Sequence, residues 1–117
     1  MSQDAIDLNE FLERVQDDKA LLVELLDIFV SDYQPKRRAL EEAVKKNNFE
    51  QIKSIAHSLK GASGNISAKP LRETFLKFEE IGKIMNTAGA DAVFANMDKL
   101  FLAFSERMAQ IKKEYQS

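Results

Sequence analysis

The chain of 117 residues contains one histidine and no cysteine, which narrows its chemistry before any fold is considered. Without cysteine there is no disulfide, thiolate metal site, iron–sulfur cluster or thiol nucleophile. A single histidine excludes His-rich zinc sites and paired-histidine proton relays. It is His57, in the run Ala56-His57-Ser58-Leu59-Lys60-Gly61-Ala62-Ser63-Gly64-Asn65. On a helical wheel with Ile52 at zero, Ile55, Ala56, Leu59 and Ser63 fall within about 60° of it and form an apolar stripe. His57 lies at about 140°, Lys53 and Gly64 near 100–120°, Lys60 at about 80° and Gly61 at about 180°. The histidine therefore points away from the stripe and shares a face with two lysines and two glycines.

Each glycine inside a helix costs roughly 1 kcal/mol relative to alanine, so the pair needs a reason. On one reading the helix ends early and Gly61 is its C-terminal cap. On the other, the missing side chains leave the imidazole open to a bulky partner. Lys60, at i+3 and expected to be exposed, then presents an ammonium beside any anion the ring carries. An imidazole with the ordinary pKa of about 6.5 is largely neutral near pH 7 and is a competent nucleophile. Ser58 and Ser63 lie nearby, but no buried acid or oxyanion loop accompanies them, as a hydrolase would need. The stripe offers no further metal ligands. Phosphoryl capture on nitrogen needs only access, positioning and nearby positive charge, and it fits best.

Other candidates are weaker. Glu41-Glu42 and Glu79-Glu80 are adjacent carboxylates that diverge by about 100° on a helix, so neither pair converges and both are read as surface. Lys36-Arg37-Arg38 is read as a solvated helix face rather than a phosphate site. Met85, Met97 or Met108 could ligate haem opposite His57 only if the histidine faced the interior, which the wheel contradicts.

The elements that must hold His57 are helical almost throughout, and 4 Gly and 2 Pro are too few for a turn-rich strand protein. A short helix is expected from Asp7 to Val15. Asp17 or Asp18 caps a second, which Pro35 should kink or interrupt near Gln34. Asn48 and Gln51 resemble a capping box opening the third. Ser67 to Pro70 breaks the chain, and Leu71, Phe75, Phe78, Gly82 and Met85 mark the fourth. After Asn86 to Gly89 the last helix starts at about Asp91. The pattern predicts an all-α fold, an antiparallel four-helix bundle with a short additional N-terminal helix. Residues 1–117 read as a single domain, without linker or repeat.

At the His57 motif the sequence resembles the histidine-containing phosphotransfer (HPt) domains of bacterial-type phosphorelays. Their pattern is His, any residue, a large apolar residue, Lys, Gly, then small residues ending in an apolar residue and often Gly. It is matched by His57-Ser58-Leu59-Lys60-Gly61-Ala62-Ser63-Gly64-Asn65-Ile66-Ser67. The resemblance extends over the preceding helix, its Asn48 start and the helices after Pro70. Ser67 departs from it, since the family commonly has Gly there. The resemblance implies that His57 is a phosphoacceptor, that Lys60 assists with phosphate charge, and that Gly61 and Gly64 keep the docking surface open. It implies a phosphoryl carrier rather than an enzyme, because the catalytic aspartates and Mg²⁺ belong to the partner. Those partners would be response regulator receiver domains and a hybrid sensor histidine kinase. Lys53 is added from the wheel, not from the family. Neither a cofactor nor a metal is expected. The rival reading is a helical adaptor or scaffold whose histidine is never phosphorylated.

A transient interface needs an apolar centre. Phe11, Leu12, Leu22 and Leu26 are candidates for it, though each one singly is better explained as bundle core. A net charge of −2 argues against nucleic acid, which requires a basic surface. The acidic stretch Met1 to Glu10 lacks the basic and apolar regions of a signal peptide. Apolar runs such as Leu21-Leu22-Val23 are far too short for a membrane span. A cytoplasmic monomer is expected, and the initiating Met1 favours a free-standing protein.

Overall fold

Side-chain caps open the first three helices. Asp7 accepts from the Glu10 amide at 3.2 Å to start α1 (Leu8–Arg14). Asp18 accepts from Leu21 at 3.0 Å to start α2 (Lys19–Lys45), and Asn48 accepts from Gln51 at 3.2 Å to start α3 (Phe49–Asn65). Each cap satisfies an N–H that has no partner within its helix. α4 (Lys69–Ile84) begins without a side-chain cap, with Pro70 in its first turn, where the missing N–H is tolerated. Met85 ends α4 in the left-handed conformation, and α5 (Ala90–Gln116) follows the turn. This computed structural model describes residues 4–116; Met1, on which the expectation of a free-standing protein rests, lies outside them.

Of the two outcomes expected at Pro35, interruption does not occur: α2 runs through it as one helix. Proline deprives the carbonyl four residues earlier, that of Ser31, of its donor. Ser31 and Pro35 are both exposed, so water can take that bond. Phe29, Tyr33 and Leu40, buried on either side, hold the helix to the core throughout.

Cross-helix pairs define an antiparallel bundle. Lys36 of α2 meets Ser58 of α3, Lys60 of α3 meets Glu79 of α4, and Phe78 of α4 packs on Phe94 of α5. Asp27 and Arg37 of α2 reach Lys112 and Asp98 of α5, so these helices run in opposite directions. The centre is aromatic, with Tyr33 stacked on Phe101 at 3.9 Å and Phe29 edge-on to Phe104 at 5.3 Å.

α2 and α5, at 27 residues each, span about 40 Å and outreach α3 and α4. At the overhanging end α1 covers the turn between α3 and α4. Ile6, Phe11 and Val15 are buried there, and the Asp7 amide donates to the Ser67 carbonyl at 2.9 Å. Ser67 adopts φ +57°, the left-handed region that favours glycine. Its hydroxyl donates to Glu10 at 2.8 Å, so the serine exchanges glycine's freedom for a bond that holds α1. Among the described residues no helix is long and apolar enough to cross a membrane.

Candidate functional site on the third helix

α3 continues through Gly61 and Gly64 to Asn65, so Gly61 is not a C-terminal cap. His57 lies at the middle of the helix with its side chain 73% exposed. One turn further on, a Cβ built on Gly61 would meet nothing within 4 Å. The space beside the imidazole at Gly61 is thus open.

The residue missed in the sequence is Glu79. Read there as surface, its carboxylate is only 13% exposed and lies between two α3 side chains. One oxygen is 2.9 Å from His57 Nδ1, and the other accepts from Lys60 Nζ at 2.7 Å. Its neighbour Glu80 is exposed, so the pair does diverge, and only one member reaches the site. A signal was available: Glu79 follows buried Phe75 by four residues and precedes buried Gly82 by three, and so borders the apolar stripe of α4. Lys60 is correspondingly not open to solvent; at 21% exposure it is held down by Glu79.

This geometry decides the state of the ring. The Lys60 ammonium, and then His57, hold the Glu79 carboxyl below the usual carboxylate range, so it is ionised near neutral pH. An ionised carboxylate can only accept hydrogen bonds, so Nδ1 must donate. In the neutral imidazole the lone pair then resides on Nε2, which has no hydrogen-bond partner among the described residues.

The other expected members are placed apart from the open patch. Lys53 pairs with Glu50 at 3.1 Å and lays its stem against Gly82, while Gly64 faces the Arg72 side chain, so both lie toward α4. The basic triplet is not a merely solvated face. Lys36 donates to Ser58, beside His57, at 2.8 Å. Arg37 grips both oxygens of Asp98 at 2.7 Å, binds Glu41 and covers the Phe94 ring; only Arg38 is fully exposed.

Phe11, Leu22 and Leu26 are fully buried and cannot centre an interface, and Leu12 is half-buried. Their outward neighbours Leu25 and Ile28, with Ala62 and Ile66, instead border a shallow cleft of about 120 Å³ between α2 and α3. The haem reading loses its axial pair, since His57 faces outward while Met97 is fully buried.

Residues 24–114 match the family model of the Hpt domain, and the chain belongs to that family. Its structure is similar to the crystal structure of histidine-containing phosphotransfer protein B (HptB) from Pseudomonas aeruginosa PAO1. The TM-score is 0.81 at 25% identity, covering 98% of this chain and 97% of that one. No significant match was found among curated protein sequences. Hpt domains are phosphoryl carriers rather than catalysts, and the chain has a histidine-phosphotransfer role in phosphorelays, alongside receiver domains.

Proposed function

We propose that the chain, as one domain over residues 1–117, is a phosphorelay intermediate whose acceptor is His57 Nε2. The observation that carries this is the division of the imidazole: Nδ1 is engaged by Glu79 while the ring stands 73% exposed. The Nε2 lone pair attacks the phosphorus of a receiver's aspartyl phosphate. The N–P bond forms, the bond from phosphorus to the aspartyl oxygen breaks, and the aspartate leaves as carboxylate. Positive charge developing on the ring is met by the Glu79 carboxylate at Nδ1–H, much as a buried aspartate supports a catalytic imidazolium. The reverse reaction passes the group to a second receiver. Aspartates and Mg²⁺ for both steps are the receivers' own.

Lys60 fixes Glu79 and adds positive charge beside the phosphoryl oxygens, and Gly61 lets the receiver come close. Gly64 and Lys53, on the side of α3 toward α4, stand at the margin of the partner surface rather than at the open patch. Leu25, Ile28 and Ala62 supply the apolar centre of a small transient interface. The first donor is the receiver of a hybrid sensor histidine kinase, and the carrier works as a monomer in the cytoplasm.

The test is incubation with a phosphorylated receiver. Transfer to an acid-labile, alkali-stable site that vanishes in His57→Gln is the expected result. Failure to accept phosphate from every receiver of the source organism would overturn the reading in favour of a non-phosphorylated adaptor.

A further inference from the structure

Gly82 lies where α4 packs close against α3. A Cβ built on it would overlap Lys53 Cγ and sit 3.0 Å from the Phe49 carbonyl oxygen and 3.1 Å from the Lys53 nitrogen. The last two are α3 backbone atoms, which cannot swing aside as a flexible side chain would. Glycine is a poor helix former compared with alanine, so nothing within α4 calls for it at this position. Its use is external, in allowing close backbone approach.

The register gives that approach a consequence. Gly82 follows Glu79 by one turn on α4, and the Lys53 it touches precedes His57 by one turn on the antiparallel α3. The close crossing is therefore adjacent, on both helices, to the contacts at 2.9 and 2.7 Å that Glu79 makes with His57 and Lys60. Hydrogen bonds of this kind are lost within a further ångström of separation. A displacement of α4 by one added methyl group would act on Glu79 directly.

We propose that Gly82 is a positioning residue for phosphotransfer: by admitting α4 close to α3, it lets Glu79 hold the Nδ1–H form of His57. This rests on the reading of His57 as acceptor. Gly82 touches neither phosphate nor partner and acts through Glu79 alone.

The experiment combines imidazole ¹⁵N NMR with transfer kinetics in wild type, Gly82→Ala, Gly82→Val, Glu79→Ala and the Gly82→Val/Glu79→Ala double variant. With a single histidine in the chain, the ring signals need no assignment. Gly82→Val is expected to lose the Nδ1–H preference and to slow transfer about tenfold, as ångström-scale misplacement does. Gly82→Ala, the milder change if the valine variant fails to fold, should shift the same signals by less. Adding Lys53→Ala to Gly82→Ala removes the overlapped Cγ and should restore part of the shift. In the Glu79→Ala background, which has no acceptor left to position, Gly82→Val should add less than about twofold, because coupled residues are not additive. An unchanged tautomer in folded Gly82→Val, or an undiminished slowing in the Glu79→Ala background, would overturn the proposal. The NMR arm requires no phosphate. A shifted tautomer together with phosphate uptake by His57→Gln would instead overturn the acceptor reading, and with it any role of Gly82 in transfer.

Discussion

Two clusters of carboxylate and lysine tie separate helices together in this protein, one under α1 and one in the middle of α3. Under α1, Lys69 donates to Asp7 and to Glu10, each at 2.9 Å, while the Ser67 hydroxyl donates to Glu10. On α3, Glu79 receives Lys60 on one oxygen and His57 on the other. In both, a lysine is the largest influence drawing a carboxyl below its ordinary pKa. They differ in what remains unspent. The α1 cluster uses its charged groups on one another and on the backbone turn, and so serves to fix a helix. The α3 cluster orients a ring and leaves that ring's second nitrogen in solvent. On the proposed reading, the comparison places function in the unfilled hydrogen-bonding position rather than in the density of charge.

The comparison can be broken most sharply at Gly61. Gly61→Leu fills the open patch and should slow transfer from a receiver by about a hundredfold, as obstruction of an interface centre does. Helix content by circular dichroism should hold or rise, since leucine is the better helix former. Normal transfer by this variant would refute the open-face account.

The complementary change is Lys69→Met, which dissolves the α1 cluster. The thermal midpoint should fall by roughly a few degrees, in keeping with exposed ion pairs. Transfer should stay within about twofold of wild type, because nothing at His57 is disturbed. A transfer loss as large as that of Gly61→Leu would show that the two clusters are not separate.

The smallest effect is in acid. Asp7, Glu10 and Glu79 have native pKa values depressed from ordinary values of 3.8, 4.5 and 4.5. Their stabilisation is complete above those values and is lost as pH falls through the lower native ones. Thermal midpoints should therefore decline below about pH 4.5, where carboxylates begin to protonate. Lys69→Met should flatten the share due to Asp7 and Glu10, and Lys60→Met the share due to Glu79. A wild-type acid limb retained by both variants would contradict these assignments.

Much of this was legible in the sequence because it is local. The caps at Asp18 and Asn48 act within one helical turn, and the wheel correctly turned His57 outward. The interruption allowed for at Pro35 does not occur because a helix tolerates proline when core side chains hold both halves and water reaches the freed carbonyl. Glu79 was missed for a different reason. It was weighed as one of a pair that must converge, and its true partners, 22 and 19 residues away, are brought to it by the α3–α4 register. The same register tucks Lys60 under the carboxylate. Phe11, Leu22 and Leu26 show the limit of an apolar pattern, which marks what faces the core but not which neighbour, here Leu25 or Ile28, stands at the surface.

One observation bears on all of this at once: which atom carries the phosphoryl group. In ¹⁵N-labelled protein phosphorylated by a receiver, long-range ¹H–¹⁵N and ³¹P–¹⁵N correlations report the bonded nitrogen of the single histidine. Phosphorus on His57 Nε2, with the proton kept on Nδ1 beside Glu79, is the expected result. Phosphorus on Nδ1, or on any residue other than His57, would contradict it.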